Sequence, residues 1–324
     1  MTTYAEQPAW RDIQAFLPEK YRLTPATEPV EEWWEHSAPG GGRHRIHLDT
    51  YRNPDAPLKV ILFHGVGTNG RQMTTILGRP LAERGYETIA IDMPTYGITE
   101  VAPGALVTYD DWVQIGSDLV DAERAKDDRP IVLYGLSAGG METFHVASVN
   151  KKVVGIVGMC FLNTRDRKVV QTAGFDPVTG TLANGLMAAL GRTPLRKLRL
   201  PMRLLVKMRA LVNNKAAKRA CYADKTSAGN SSTIGFVDSF LNYRPTIKPA
   251  DFDVCPVLLT QPAADRWTPL SLSAPFLSQV TKVPVETVML ENAGHYPLEQ
   301  PGLDQMVDAI ADFCAARVAN SPAA

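Results

Sequence analysis

The chain has 324 residues and carries 34 Lys and Arg against 34 Asp and Glu, so its formal net charge is zero. That length suits one large α/β domain, alone or with a smaller insertion, and 45% hydrophobic with 21% charged residues is ordinary for a soluble globular protein. The longest apolar stretches run to only six to ten residues, which excludes a membrane-spanning helix.

The N-terminus MTTYAEQPAWRDIQ lacks the basic start and apolar run of a signal peptide. Cys160, Cys221, Cys255 and Cys314 are widely spaced and form no metal-type pairs. They read as reduced, buried thiols, and the expected location is cytoplasmic.

Residues 1–42 are proline-rich and hold Trp10, Trp33 and Trp34. They read as an irregular extension packed on the core, closing at Gly40-Gly41-Gly42. Residues 45–50 alternate as a half-buried strand does. Continuous apolar runs follow at 59–63, 88–91, 131–134, 153–157 and 256–259, with a further strand at 287–290. Such runs belong to a parallel sheet covered on both faces. Helical patterns lie between them. Thr108 with Asp111 predicts a capping box, and Leu303, Met306, Val307, Ile310 and Phe313 mark a closing amphipathic helix. The alternation predicts a doubly wound, mostly parallel α/β sheet, with residues 43–163 and 251–324 as its core. Between Asn163 and Asp251 no strand is expected, so 164–250 reads as a helical cap inserted after the sixth strand.

Gly135-Leu136-Ser137-Ala138-Gly139 follows the strand at 131–134. This is the pattern of a nucleophile elbow, a sharp strand-to-helix turn that lifts a serine above the sheet. The glycines are there because a Cβ would collide with the turn or the adjoining strand. A serine hydroxyl needs a base to take its proton, a carboxylate to orient that base, and N–H donors for the oxyanion. His295, in Asn292-Ala293-Gly294-His295-Tyr296-Pro297, follows the strand at 287–290 and is the candidate base. Asp265, in Ala263-Ala264-Asp265-Arg266-Trp267-Thr268-Pro269, is the candidate acid, with an N-cap aspartate as its structural alternative and Asp166 as the fallback. His64-Gly65-Val66-Gly67 follows the strand at 59–63; the N–H groups of Val66 and Ala138 would form the oxyanion hole, with His64 bonding backbone nearby. Serine, acid and histidine in this chain order match the α/β-hydrolases and neither the chymotrypsin nor the subtilisin order.

On these residues the sequence resembles the α/β-hydrolase superfamily over about 44–163 and 251–315. HGVGTNGRQM, DMPTYGIT, YGLSAGG, ADRWTP and GHYPLEQP are most similar to its monoglyceride-lipase and serine-aminopeptidase-like branch. The resemblance implies a serine hydrolase with catalytic Ser137, Asp265 and His295, no cofactor, and a structural Asp92 in the aspartate-to-glycine loop. The HGGG motif of the hormone-sensitive-lipase-like esterases is missing, as is the Gly-Gly-Ser-Trp-Gly of proline iminopeptidases. A serine at the nucleophile position argues against the aspartate-dependent dehalogenases and epoxide hydrolases.

The expected activity is hydrolysis of a small, lipophilic carboxylic ester through an acyl-enzyme. Alternatives are a C–C bond hydrolase of ring-cleavage products, a thioesterase or acyltransferase, and a slow or non-catalytic ligand-binding protein of the same fold. His44 and His47, three apart on a strand, are poor co-ligands, and no metal site is expected. From Pro177 to Ala223 there are ten Lys and Arg and no acid. Thr193-Pro194 reads as a helix start, and Leu204, Leu205, Met208, Leu211 and Val212 as an apolar stripe at helical spacing. The basic block reads as a lid over the cleft. It could draw in an anionic substrate or rest on an anionic membrane surface, and no nucleic-acid module accompanies it.

Overall fold

The computed structural model describes residues 2–39, 41–175 and 185–319. Its main sheet contains β1 (Val30–Ser37), β2 (Arg43–Tyr51), β3 (Lys59–Phe63), β4 (Glu87–Ile91), β5 (Ile131–Gly135), β6 (Gly155–Gly158), β9 (Val257–Pro262) and β10 (Val285–Leu290). A separate pair, β7 (Arg199–Pro201) and β8 (Ser231–Thr233), lies in the segment between β6 and β9. The eight strands run in the order β1-β2-β4-β3-β5-β6-β9-β10. Pairing is parallel from β4 through β3, β5, β6 and β9 to β10, and antiparallel only where β2 meets β1 and β4. Every residue of β3, β4, β5, β6 and β9 is buried. That is why these strands are continuous apolar runs: helices cover both faces, and no position faces water.

The helices close as their sequence signals require. Tyr109–Arg124 is capped by Thr108, whose hydroxyl accepts from the Asp111 N–H while Asp111 Oδ2 accepts from the Thr108 N–H at 2.7 Å. Gly302–Ala319 buries Leu303, Met306, Val307, Ile310 and Phe313 against the sheet. All the parallel strands end on one edge, and the loops leaving β3, β5, β9 and β10 converge there.

Three expectations need correction. The region before residue 42 is not irregular throughout, because Val30–Ser37 forms β1, paired with β2 from Val30↔Thr50 to Ser37↔Arg43. Its glutamates hid the strand: Glu31 and Glu32 are part-buried but paired with Arg71 and Arg52, partners far along the chain, so no apolar run marks it. The segment 164–250 is not free of strands, for it holds the three-residue pair β7 and β8. Nor is its apolar stripe one helix. Met202–Leu205 is a single turn, 208–210 is a 3₁₀ turn, and Thr193 caps only the short 3₁₀ helix Pro194–Lys197. Leu204 is consequently exposed while Met208, Leu211 and Val212 are buried.

This segment lies across the loop edge of the sheet. The Tyr296 N–H donates to Leu211 O at 2.8 Å, Asn213 Nδ2 to Ala264 O at 3.2 Å, and Asn230 Nδ2 to Thr95 O at 2.6 Å.

Candidate active site

Ser137 follows β5 directly and occupies φ 56°, ψ −117°, a backbone conformation a non-glycine residue adopts only when its surroundings enforce it. The enforcement comes from the glycines. A Cβ on Gly135 would lie 1.9 Å from Gly139 O, and one on Gly139 would lie 2.7 Å from both Phe63 O and His64 O. The turn therefore packs flush against its own helix, Ala138–Asn150, and against the exit of β3.

His295 and Asp265 meet at the same edge. His295 Nδ1 lies 2.9 Å from Asp265 Oδ2, and both side chains are almost wholly buried. Burial by itself would raise the Asp265 carboxyl. The charge and hydrogen bond of His295, with the N–H groups of Thr268 and Trp267, outweigh burial and bring it down to about 2. The carboxylate is thus ionised at neutral pH. It receives the Nδ1–H of His295 and leaves the lone pair on Nε2, the tautomer a general base needs. Nε2 is buried and has no hydrogen-bond partner among the described residues. Asp265 does not cap the following helix, Leu270–Leu277, whose N-cap is Pro269; it closes the turn before that helix. Oδ1 accepts from the N–H groups of Trp267 at 2.6 Å and Thr268 at 2.9 Å, which frees Oδ2 for His295. Asp166 instead caps the helix Arg167–Ala173, accepting from the Lys168 N–H at 2.8 Å.

The loop carrying Val66 packs on the elbow. A Cβ on Gly65 would lie 2.8 Å from Ser137 Cβ and from Leu136 O, so Gly65 packs flush on the elbow. Neither the Val66 nor the Ala138 N–H donates a backbone hydrogen bond within the described residues. His64 bonds backbone, as expected: Nδ1–H donates to Gly65 O at 2.9 Å and Nε2 accepts from the Met93 N–H at 3.0 Å. Burial keeps this ring neutral. Tyr96 was not singled out in the sequence, yet its hydroxyl donates to Val66 O at 2.8 Å and fixes that carbonyl. Both supports stem from the loop after β4, which Asp92 organises. Its carboxylate accepts from Tyr4 Oη (2.9 Å), His47 Nδ1 (2.9 Å), Gly70 N (2.7 Å) and Ile98 N (3.0 Å), so Asp92 is structural here.

Thr268 was also missed. Its hydroxyl donates to Asp265 Oδ2 at 2.8 Å and sits 3.1 Å from His295 Nδ1, bracing both groups. A threonine three residues after an aspartate was the available signal. The remaining histidines are structural. His44 Nδ1 accepts from the Ala102 N–H, His36 meets Asp118, and His145 meets Tyr109 Oη at 3.1 Å. Among the described residues no cluster of three or more His, Cys, Asp or Glu is arranged to hold a metal. No described helix is long and apolar enough to cross a membrane.

Beside Val66 opens a cavity of about 80 Å³ between the sheet edge and the inserted segment. Leu162, Val169, Met187, Met202, Leu205 and Phe236 are among its walls, and none of the described residues lining it is charged.

This fold and loop edge define the class. The sequence matches the alpha/beta hydrolase family over residues 60–312, and the chain belongs to that family. A comparison with curated proteins found no match. Among solved structures, a soluble variant of monoglyceride lipase from Saccharomyces cerevisiae, bound to a substrate analog, aligns at TM-score 0.70 and 16% identity, covering 93% of this chain and 98% of that one. The monoacylglycerol lipase of Paleococcus ferrophilus aligns at TM-score 0.62 and 17% identity, covering 89% and 99%. A carboxylesterase structure from Nitrososphaera gargenis aligns at 0.61 and 16%, covering 89% and 100%. At these identities the likeness is one of fold.

Proposed function

We propose that this protein is a serine hydrolase that cleaves a carboxylic ester with a lipophilic part, using Ser137, His295 and Asp265. The observation that carries the reading is the Asp265–His295 pair, with its free Nε2, on the loop edge where the strained elbow presents Ser137. In this reading Ser137 Oγ attacks the ester carbon as Nε2 takes its proton. The N–H groups of Val66 and Ala138 hold the oxyanion, and the proton passes to the departing alcohol. Water, deprotonated by the same nitrogen, then attacks the acyl-enzyme, and Ser137 regains its proton on release of the acid. The chain's own residues supply every group this sequence requires, so the proposal needs no cofactor. Segment 164–250 acts as the cap, and the uncharged cavity under it receives the apolar part. An acidic dienol, the substrate of a C–C hydrolase, would need a cationic wall, and no described residue lining this cavity is charged.

The test is intact-mass labelling with a fluorophosphonate. One adduct is expected on the wild type and none on a folded Ser137→Ala variant, whose kcat for p-nitrophenyl esters falls by at least about 10³. A folded wild type that takes no label and turns over no ester would sink the reading in favour of a binding protein.

A further inference from the structure

The basic stretch takes no part in the chemistry proposed above, and the structure gives it two faces. Inward, Met187, Met202, Leu205 and Val206 line the apolar cavity. Outward, Leu186, Leu195, Leu198 and Leu204 are 54%, 51%, 52% and 59% exposed. Interleaved with them stand Arg192, Arg196, Lys197, Arg199 and Arg203, all exposed, and residues 194–199 form an unbroken exposed run. Arg192, Arg196, Lys197 and Arg203 have no acidic partner among the described residues. The carboxylate of Asp238 lies against Gly191 at the margin.

Four leucines held open to water within nineteen residues are more than scattered surface apolarity, and no described residue buries them. Cations alone would suit any polyanion, but a nucleic acid would leave the leucines without a partner. Leucines flanked by cations match an anionic bilayer interface, where apolar side chains enter the acyl boundary and Arg and Lys meet the phosphates. We infer that this outer face, Leu186 to Leu204, seats the protein on an anionic lipid surface. The inner face and the cavity then lie on the side of the segment away from the lipid. This inference stands apart from the catalytic reading, since it concerns the opposite face of the segment.

The experiment uses the full-length Ser137→Ala protein, so that its outcome does not depend on catalysis. Co-sedimentation is measured with phosphatidylcholine vesicles, with and without roughly one-third phosphatidylglycerol. Binding to the anionic vesicles is expected, falling at least about tenfold when salt is raised from about 0.1 to 1 M. Arg196→Gln/Lys197→Gln/Arg203→Gln should lower partitioning about 100-fold, at about fivefold per cation. Leu195→Ser/Leu198→Ser/Leu204→Ser should lower it at least about tenfold at low salt. Both triple variants should keep the parent's thermal midpoint, since every changed side chain is exposed. Absence of anionic-vesicle binding would overturn the inference. So would binding that neither variant weakens, or displacement from vesicles by an equal charge of duplex DNA.

Discussion

Asp265 serves two structural roles with two oxygens, and its substitution separates them. Asp265→Asn keeps an acceptor for the N–H groups of Trp267 and Thr268 but can present an N–H to His295, which favours the tautomer with the lone pair on Nδ1. A fall of about 10⁴ in kcat is expected, with KM little changed. Asp166→Asn retains the helix cap and should leave both constants within about twofold of the parent. Equal losses in the two variants, measured on the same ester, would place the acid wrongly. Glu142 poses the opposite case. It lies on the helix behind the elbow, fully buried, with neither carboxyl oxygen bonded among the described residues. Burial pushes its carboxyl well above the usual range, so it is held neutral. The folded state binds this proton more tightly than the unfolded chain, whose ordinary value is 4.5, so the stability cost grows as pH rises above 4.5. Glu142→Met should therefore stabilise the protein by about 1–2 kcal/mol at pH 7.5 and less at pH 5, read from urea midpoints.

At the scale of elements, the first thirty-seven residues do more than cover the core. Tyr4 donates to both oxygens of Asp92, and Glu31 of β1 faces His47 and Arg71 at 3.2 and 3.3 Å. The N-terminal segment thereby closes a buried network of Asp92, His47, Asp49 and Arg71, which anchors the loop whose Met93 and Tyr96 hold His64 and Val66. Removing one member leaves charge underground without a partner. Tyr4→Phe should cost about 1–3 kcal/mol in urea unfolding, more than an exposed tyrosine would. A loss below about 0.5 kcal/mol would mean that the segment merely lies on the surface. In the sequence, Asp92 and its glycine loop were legible, but Tyr4 and His47 were not. Their partners lie 88 and 45 residues away, and no local pattern records such a pairing.

For the molecule as a whole, buried titrating groups set a window of stability. Burial opposes a charged His47, yet hydrogen bonds from its ring to Asp92 and Glu31 raise it to about 10. Its ordinary value is 6.5, so its contribution is complete below 6.5 and is lost as pH rises through about 10. His145 is pushed by burial down to about 3, so its contribution is complete above 6.5 and is lost as pH falls toward 3. Asp265, at about 2 against an ordinary 3.8, adds a loss in the same acid direction below 3.8. The opposing slopes of Glu142 and His145 overlap between pH 4.5 and 6.5, so the thermal midpoint should be highest in that interval and fall on both sides, which scanning calorimetry across about pH 3–10 would record. His47→Gln should flatten the alkaline limb alone; an unchanged limb would remove His47 as its source.

The sequence by itself determined the parts written locally: the buried parallel strands, the capped helices, the glycine-framed elbow, and the order of serine, aspartate and histidine. Burial on both faces makes a strand continuously apolar, and a strained turn demands glycine, so each leaves its mark within a few residues. The sequence favours Asp265 over the fallback Asp166, but only the tertiary structure decided that it stands beside His295, once β9 and β10 are paired. It likewise decided that Thr268 and Tyr96 brace the site, that β1 exists at an acidic edge, and that the basic segment has an inner and an outer face. These depend on contacts between residues far apart in the chain, or on which side meets water. Neither is fixed by neighbours in sequence, and both follow once the sheet has brought its loops together at one edge.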